Sequence, residues 1–339
     1  MSSDVTLKQI AEALDLSTMT VSRAINNREN VSGKTREKVL EKARTMGYIP
    51  NDLAKSLVSR KTYTIGVVIP KITHAFFPEV VRGIEEVTKT CNYQLFLTNA
   101  DEQFELEKEA VNTLQAKRVD GILVSTSITK HDHSFYDNIL KSGTKVVFFD
   151  RYIDNFGVSR VSVNDYESSR QITEHLINVH EYDKIGYLQG PENVSIAQQR
   201  YRGYREALTT HDIPINESWI ILGGFQETDG YQAMQKILEL SEQRRPHAIL
   251  AVNDPSAIGA MKAIKEAGLS IPEDIAVVGF TDDIRASYLE VPLTTVQQPA
   301  YEVGKRAAKK LIQIIENEDE PAENIEIQTS LKIRKSCGC

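Results

Sequence analysis

The sequence has 339 residues, 41% of them hydrophobic, and a formal net charge of −7. This length is more than a single hydrophobic core usually fills, which indicates more than one domain. The sequence has no charged-then-apolar leader and no apolar run long enough to cross a bilayer. A secreted or membrane-spanning protein is therefore not expected, and the predicted location is the cytoplasm.

Charge is distributed unevenly along the chain. Residues 1–61 hold 11 lysines and arginines against 7 aspartates and glutamates, whereas the remainder holds 29 against 40. A basic first segment is expected in a domain that binds phosphate groups, and an acidic remainder is expected in a domain that does not. The alternative, which is favoured for any single lysine, is an ordinary solvated helix face.

Two short helices joined by a turn are predicted near the start of the chain. Residues 6–9 have the pattern of a capping box, so a helix should begin there. Apolar residues recur at helical spacing in residues 7–14 and again in residues 21–25, with a tight turn at residues 15–17 between them. This arrangement predicts a helix-turn-helix, although an ordinary helical hairpin is the alternative.

The second of these helices carries the candidate base-reading residues. Ser17 is a good N-cap for it, and in a helix-turn-helix the first residues of the second helix reach base edges in the major groove. Thr18 and Met19 are therefore the candidate readers. Arg23, one turn later, is a candidate bidentate partner for guanine.

A third helix is predicted from Ser32, its N-cap, to Gly47, a common C-terminal stop. Val39, Leu40 and Ala43 are expected to be buried. The helix also carries a set of basic residues, which are Lys34, Arg36, Lys38, Lys42 and Arg44.

From Tyr63 to about Glu316, β-rich apolar runs alternate with amphipathic helical stretches, which is typical of parallel sheets built from βαβ units. The predicted strands cover residues 64–69, 93–98, 121–124, 145–149, 184–188, 248–251 and 276–279. These are more strands than one sheet needs, so we expect two similar α/β subdomains with a cleft between them.

Ligands of open α/β sheets bind outside the carboxyl ends of the strands. Residues just after the predicted strands should therefore line the cleft, namely Phe76, Phe77, Ser125, Asp150, Arg151, Asn253, Asp254, Thr281, Asp282 and Asp283. Carboxylate, guanidinium and amide groups beside aromatic faces suit the hydroxyls and the C–H face of a sugar. As an alternative, Asp150 and Asp254 could simply cap the helices that follow them.

Catalysis is not expected from this sequence. It contains no P-loop, no dinucleotide-binding glycine fingerprint, no G-x-S-x-G motif and no recognisable metal-ligand cluster. The three cysteines lack the spaced second pair of a structural zinc site, so no metal and no cofactor are expected. The tail Cys337-Gly338-Cys339 is expected to be disordered and its thiols reduced, with metal binding as the less favoured alternative.

Several motifs resemble the LacI/GalR family of bacterial transcription regulators, in the right order and at the right separations. They are Val5–Ala11, Thr20–Asn26, Val31–Ser32 with Thr35–Val39, and Gly47–Asn51. The resemblance covers nearly the whole chain. It implies an α/β protein with a small all-α helix-turn-helix head, followed by two Rossmann-like α/β subdomains of the periplasmic-binding-protein type.

The domain boundaries that follow are 1–50 for the DNA-binding head, 51–61 for a hinge helix and linker, and 62–339 for the effector-binding and dimerisation domain. Its N-subdomain should comprise about 62–161 and 293–320, and its C-subdomain about 162–292 and 321–334. The chain should therefore cross between the subdomains near Val161, Leu293 and Pro321.

The resemblance also implies a DNA interface on the head. Polar residues are expected to contact phosphate or sugar and so to set the register on the duplex; they are Thr6, Ser17, Thr20, Ser22, Asn26, Ser32, Thr35 and Tyr48. Thr18 and Met19 fall at the variable base-reading positions, where Met19 offers only apolar contact, and Arg23 falls at a less variable one. Asp15 replaces the glycine that is usual in the turn, and it should adopt a left-handed conformation.

Residues 51–57 match the hinge helix of the family, which forms only on DNA and pairs with its dimer mate in the minor groove. Asn51 begins it, and Leu57 would be the wedge that partly unstacks a central base step, with Ala54 beside it. A flexible linker is the alternative, because so short a helix is unstable by itself.

In the cleft, the resemblance implies hydrogen bonds to a small polar ligand from Asp150, Arg200, Asn253 and the run Gly279–Asp282, and apolar packing from Phe77 and Phe225. Arg200 could equally be a solvated helix charge. Thr281 departs from the sugar-binding relatives, which often carry aspartate there. Either Asp282 compensates, or the ligand is not a simple sugar, and a nucleobase or a phosphorylated sugar is the next candidate.

The expected partners are near-palindromic operator DNA, a sugar-like effector and a second copy of the chain. No Leu or Ile heptad follows Arg334, so a homodimer is expected, associated with the nucleoid. The expected function is that of a repressor. An effector in the cleft is expected to bias the angle between the subdomains and so to change the DNA affinity, and the effector site and the DNA site are then reciprocally linked. The alternative is a solute-binding protein of the same fold without a regulatory role.

Overall fold

The computed structural model of the protein describes residues 5–49, 61–127, 133–154, 156–317 and 319–339. They belong to two compact units, one that ends at Thr62 and one that runs from Tyr63 to Cys339. The predicted hinge positions Asn51, Ala54 and Leu57 lie outside the described residues.

The first unit contains the three predicted helices, α1 (Leu7–Leu14), α2 (Thr18–Ile25) and α3 (Gly33–Met46). Each has the predicted N-cap, since Thr6, Ser17 and Ser32 accept the backbone N–H three residues ahead. The turn residue Asp15 has φ 53°, which is the left-handed conformation expected for it. The predicted helix-turn-helix is therefore confirmed in its details.

The core of this unit is small. Its buried residues are Ile10, Ala11, Val21, Ala24, Val39 and Ala43. The prediction was wrong for Leu40, whose exposed fraction is 45%. Val39 and Ala43 lie four residues apart and share the inner face of α3, whereas Leu40 is one position, about 100°, further round the helix.

The second unit alternates strands and helices. Its first half contains β1 (Thr64–Ile69), α4 (Phe76–Thr90), β2 (Gln94–Asn99), α5 (Phe104–Ala116), β3 (Gly121–Val124), α6 (His133–Lys141), β4 (Lys145–Phe149), β5 (Arg160–Val163) and α7 (Asp165–His180). The rest contains β6 (Ile185–Gln189), α8 (Ser195–Thr210), β7 (Ile220–Leu222), α9 (Glu227–Leu238), β8 (Ala248–Ala251), α10 (Asp254–Glu266), β9 (Ala276–Thr281), β10 (Thr294–Gln297), α11 (Ala300–Glu316), β11 (Asn324–Ile327) and β12 (Ser330–Lys332). Among the described helices, none is both long and apolar enough to span a membrane.

The strands form two six-stranded sheets, as the excess of predicted strands over one sheet suggested. The first has the order β11-β5-β4-β3-β1-β2, and the second has the order β12-β10-β9-β8-β6-β7. All neighbouring strands are parallel except the edge strand β12, which is antiparallel to β10. The mixed α/β class with two parallel-sheet subdomains is confirmed.

The crossings between the subdomains lie later in the chain than expected near Val161, Leu293 and Pro321. β5 still belongs to the first sheet, β10 to the second and β11 to the first. The chain therefore crosses at residues 164, 298–299 and 328–329, and these positions correct the expected subdomain boundaries. The short strands β5, β10 and β11 were not predicted, and all three mix polar with apolar residues, so the apolar-run criterion did not detect them.

The segment that ends the sequence is ordered, not disordered as expected. Residues Lys335–Cys337 form a turn of 3-10 helix, in which Ser336 and Cys337 are fully buried. The Ser336 hydroxyl donates to the carbonyl oxygen of Val277 at 2.6 Å and accepts the backbone N–H of Thr294 at 2.8 Å. These bonds fix the segment to β9 and β10.

Candidate functional site

The predicted cleft residues lie at the carboxyl ends of both sheets. Phe76 and Phe77 begin α4 after β1, Ser125 follows β3, and Asp150 follows β4. In the second subdomain Arg200 lies on α8, and Phe225 and Asn253 precede α9 and α10. All seven side chains are buried, whereas Thr281 and Asp282 are half-buried at the end of β9.

A chain of buried charges begins on the first subdomain. Arg151 donates to a carboxylate oxygen of Glu102 at 2.8 Å and lies 4.0 Å from the Asp150 carboxylate. Asp150 has φ 57°, a left-handed conformation that is uncommon for a residue other than glycine. Burial raises the pKa of Asp150, and the guanidinium groups of Arg151 and Arg200 oppose that rise.

Arg200 continues this chain of charges on the second subdomain. It donates to the Asp165 carboxylate at 2.8 Å, to the carbonyl oxygen of Val252 at 2.8 Å and, at 3.4 Å, to the side-chain oxygen of Gln298. Its guanidinium also lies 3.7 Å from the ring centroid of Phe280. Burial raises the pKa of Asp165 to about 6, although Arg200 opposes the shift. Arg200 is therefore not the solvated helix charge of the alternative interpretation.

Close packing of α7 on α8 places Asp165 beside Arg200. Gly203 lies at the crossing of the two helices, where an added Cβ would be 2.1 Å from the backbone oxygen of Tyr166. A side chain at this position would force the helices apart. The hydroxyl of Ser169 also donates to the backbone oxygen of Arg200 at 2.7 Å.

Among the described residues, contacts that connect the two subdomains across the cleft include the following three. The imidazole Nε2 of His74 lies 3.0 Å from the side-chain nitrogen of Gln226. The guanidinium of Arg151 lies 4.5 Å from the ring centroid of Phe225. The backbone N–H of Tyr152 donates to the hydroxyl of Ser195 at 3.3 Å. Burial, followed by the charge of Arg151, lowers the pKa of His74, so this imidazole is neutral at pH 7.

Several buried polar atoms in this region are unpaired. The Ser125 hydroxyl, Glu102 Oε1 and Arg151 Nε have no hydrogen-bond partner among the described residues. A buried polar atom without a partner is costly, and such atoms cluster where a ligand or an ordered water completes the bonding. The unpaired atoms here include hydroxyl, carboxylate and guanidinium groups, which together can both donate to and accept from a polyhydroxylated molecule.

Asn253 and Asp254 have structural contacts of their own. Asn253, not Asp254, is the N-cap of α10: its oxygen accepts the Ser256 N–H at 3.0 Å, while its amide donates to the Phe225 carbonyl at 2.9 Å. Asp254 is fully buried and accepts the Thr295 hydroxyl at 2.6 Å and the Asp283 N–H at 2.7 Å. Burial raises the pKa of Asp254 to about 7. The capping alternative for Asp254 is therefore wrong.

The end of β9 is conformationally unusual. Thr281 has φ 132° and Asp282 has φ 61°, both in the region that favours glycine. The Asp282 carboxylate accepts bonds from Arg334 at 2.7 Å and from the Gln297 amide at 3.0 Å. Both of its oxygens are thus already engaged, so Asp282 is poorly placed to replace the acceptor that Thr281 lacks.

On the first unit, no predicted DNA-contacting residue that the structure describes is buried. Met19 is the most distinctive, because 62% of this large apolar side chain is exposed at the start of α2. The hydroxyl pairs Ser17–Thr20 and Ser32–Thr35 lie at the N-termini of α2 and α3, each at 2.8 Å. Helix N-termini present free N–H groups that suit phosphate oxygens.

Sequence reasoning missed several residues of the cleft, chiefly Asp165 and Gln298. Each follows an unpredicted strand, since Asp165 comes after β5 and Gln298 after β10. The same rule about carboxyl ends would have found both if those strands had been recognised. Glu102 and Gln226 lie in loops that carry no such signal.

Two family matches together cover most of the chain. Residues 6–51 match the family described as bacterial regulatory proteins, lacI family. Residues 62–335 match the family described as periplasmic binding proteins and sugar binding domain of LacI family.

Individual relatives match the chain along nearly its full length. The chain is 34% identical over 336 residues to a probable HTH-type transcriptional repressor ExuR of Bacillus subtilis, with 98% of both chains covered. It is 33% identical over 333 residues to the HTH-type transcriptional repressor PurR of Mannheimia succiniciproducens, again with 98% of both covered. These relatives are transcriptional repressors and not enzymes.

A solved structure of the lac repressor dimer, bound to operator and the anti-inducer ONPF, resembles this fold with a TM-score of 0.87. Its sequence is 29% identical, and the match covers 99% of both chains. A match over both units disfavours a solute-binding protein that lacks a regulatory role. The chain belongs to the lacI family of bacterial regulatory proteins.

Proposed function

We propose that this protein is a transcriptional repressor that binds operator DNA as a homodimer and changes its DNA affinity when a neutral sugar or sugar derivative occupies the cleft. The observation that carries the proposal is the joint presence, in one chain, of a helix-turn-helix unit that matches the lacI regulatory family and a cleft with a buried polar network.

The charge of the cleft supports an uncharged ligand. Arg151 and Arg200 are balanced by three carboxylates, those of Glu102, Asp150 and Asp165. A phosphorylated ligand needs an excess of positive charge, which this network does not supply. Neutral hydroxyl groups can instead use the unpaired atoms of Ser125, Glu102 and Arg151. We therefore favour a neutral sugar over a phosphorylated sugar, and we propose that Glu102, with its unpaired carboxylate oxygen, and not the engaged Asp282, supplies the acceptor that Thr281 lacks.

The contacts across the cleft could couple effector binding to the arrangement of the two subdomains, and so to DNA affinity. The pairs His74–Gln226, Arg151–Phe225 and Tyr152–Ser195 each join the two subdomains. An effector that bonds to Arg151 or stacks on Phe225 must reorganise these contacts, and it then changes the relative stability of the subdomain arrangements. Linkage requires that DNA change the effector affinity by the same factor.

A homodimer is supported by an apolar edge on the first sheet. β2 is an edge strand, and its side chains Phe96 and Leu97 are 46% and 39% exposed. An exposed apolar edge strand is a liability that proteins usually cover. A second copy of the chain would cover it, in line with the dimer described for the lac repressor.

Two measurements on the full-length protein test the proposal. The first is selection of bound duplexes from a random pool, which should enrich a near-palindromic sequence, and Arg23→Ala should weaken that selection. The second is thermal unfolding against sugars, phosphorylated sugars and nucleobases, since a ligand at a hundred times its Kd stabilises by about 2.7 kcal/mol.

A sugar that stabilises the protein should also change its affinity for the selected duplex. If no duplex is enriched, the regulatory function is wrong. If only phosphorylated sugars or nucleobases stabilise the protein, the regulatory function stands and the charge argument for a neutral effector fails.

A further inference from the structure

Four potential metal ligands come together far from the cleft, although the sequence suggested no such cluster. They are His175 and His180 on α7, and Cys337 and Cys339. One ligand atom from each lies within 4.8 Å of all the others. The Cys339 sulfur is 3.2 Å from Nε2 of His180 and 3.8 Å from Nε2 of His175. The two imidazole rings are 5.1 Å apart, at an interplanar angle of 81°.

The fold holds both halves of this cluster in place. His180 is the last residue of α7, and Glu181 then reverses the chain in a left-handed conformation. Cys337 is buried in the 3-10 turn that Ser336 bonds to β9 and β10, and its carbonyl oxygen accepts the Tyr182 hydroxyl at 3.4 Å. These are positioned side chains and not a frayed segment.

Gly338 lets the second cysteine approach the imidazole. It has φ 107°, which other residues rarely adopt, and a Cβ added there would lie 3.2 Å from Nδ1 of His180. A larger residue would be strained and crowded against the ring. The glycine between the two cysteines thus turns the chain so that both sulfurs lie near the two imidazoles.

We propose that His175, His180, Cys337 and Cys339 bind a Zn²⁺ ion in tetrahedral coordination. Two thiolates and two imidazoles form a common donor set for structural zinc, and four residues between the histidines is a usual spacing. With Zn–S and Zn–N bonds of about 2.3 and 2.05 Å, neighbouring sulfur and nitrogen ligands lie about 3.6 Å apart. The two measured sulfur–nitrogen distances bracket that value.

The charges also fit a divalent cation. Two thiolates neutralise the ion, so the neutral complex can lie beside the buried Cys337.

The bound ion would fasten the 335–339 segment to α7. Arg334, directly before that segment, bonds Asp282 at 2.7 Å and the carbonyl oxygen of Leu293 at 2.7 Å. Because a zinc site forms only in the folded chain, its binding energy adds to stability. Removal of the ion should therefore lower the melting temperature of the second unit.

The test uses the full-length protein, made without a polyhistidine tag, purified in a phosphine reductant, loaded with ZnSO₄ and gel-filtered. Elemental analysis should find about one zinc per chain, as for a four-ligand structural site. His175→Ala and Cys339→Ser should each lose most of this zinc. Cys91→Ser and His247→Ala, which change a cysteine and a histidine outside the cluster, should keep it.

Cobalt substitution identifies the ligands. A protein loaded with Co²⁺ should show the visible absorption of tetrahedral cobalt with a thiolate-to-cobalt band in the near ultraviolet, and both should be lost in Cys339→Ser. Cys339 is exposed, so this variant should fold, whereas Cys337 is fully buried and its replacement could prevent folding.

Absence of zinc from the loaded wild-type protein would overturn the proposal and leave a thiol–imidazole hydrogen bond as the function of the cluster. Equal zinc retention in His175→Ala, Cys339→Ser and the two control variants would also overturn it, because the ion would then lie elsewhere.

Discussion

Replacement of Arg200 by methionine should destabilise the second unit strongly. The change removes the bonds to Asp165, Val252 and Gln298 and the contact with Phe280, while it leaves an Asp165 carboxylate whose side chain is only 2% exposed. Loss of one partner from a buried ion pair costs about 3–5 kcal/mol. In a domain of this size the melting temperature should fall by roughly 6–20 °C.

The stability lost in Arg200→Met should be larger at high pH than at low pH. The folded-state pKa of Asp165 is about 6, above the ordinary value, so the folded state holds the proton more tightly than the unfolded state. The contribution of Asp165 to stability is therefore greatest at low pH and is lost as pH rises through about 6. Without Arg200 that pKa rises further, so Arg200→Met should cost more at pH 8 than at pH 5.

Denaturant unfolding at both pH values, on the full-length protein, measures these losses. The matched control is Arg205→Met on the same helix, because Arg205 is 44% exposed and pairs with Glu217 at 3.3 Å. An exposed pair of this kind contributes about 0–1 kcal/mol. Addition of Asp165→Asn to Arg200→Met should recover part of the loss. If Arg200→Met costs no more than Arg205→Met, or if its cost is the same at both pH values, the buried ion pair does not have the assigned energetic role.

Three further changes test other parts of the molecule. Ser125→Ala should leave the melting temperature nearly unchanged, because the Ser125 hydroxyl has no partner among the described residues. The same variant should weaken effector binding by about 1 kcal/mol, measured by calorimetry. Ser127→Ala is the matched control, because the Ser127 hydroxyl donates to the buried Glu107 at 2.6 Å and its loss should lower stability instead. Met19→Gln should change which base pair is preferred at one position of the selected duplex, with a discrimination of about 1–3 kcal/mol between base pairs. Folding should not change, because Met19 is 62% exposed. An identical selected sequence would exclude Met19 as a base reader. Burial raises the pKa of Asp254 to about 7, so this carboxyl should contribute a loss of up to roughly 4 kcal/mol of stability as pH rises from 4 to above 7. Asp254→Asn should remove that contribution and leave the part of the slope that is due to Asp165; an unchanged pH profile of unfolding would contradict the raised pKa of Asp254.

The sequence predicted those parts of the fold whose signals are local. The strands 64–69, 121–124, 145–149 and 248–251 were placed at their observed bounds, because each is a buried run of apolar residues with clear ends. The helix caps Thr6, Ser17 and Ser32 were predicted for a similar reason, since a cap depends on residues three positions apart. The cleft residues directly after predicted strands followed from the topology of parallel sheets.

The bonding within the cleft could not be predicted in this way. Arg200 was recognised through the family resemblance, but its partners Asp165 and Gln298 lie 35 and 98 positions away along the chain. Which buried carboxylate meets which guanidinium depends on how α7 packs on α8, and Gly203 gives only a weak sign of that crossing. The bond from Arg334 to Asp282 could not be predicted for the same reason. Arg334 reaches Asp282 after the chain returns to the second subdomain at residues 328–329, and this crossing was expected several residues earlier, near Pro321.

The metal-ligand cluster fails to appear in the sequence for a related reason. A search for zinc sites looks for two spaced pairs of ligands, and this chain has a single Cys-x-Cys pair that resembles half of a site. The other half is the pair His175 and His180 at the end of an amphipathic helix, more than 150 residues earlier in the chain. In the sequence alone, these histidines suggest an ordinary solvent-exposed helix surface. Contacts with distant residues bring the two halves together, because Ser336 bonds to Val277 on β9 and Thr294 on β10, and the Tyr182 hydroxyl just after α7 donates to the Cys337 carbonyl. Tertiary packing thus creates a donor set from two motifs that are each uninformative alone, which is why its occupancy by zinc can be tested by changing either motif separately.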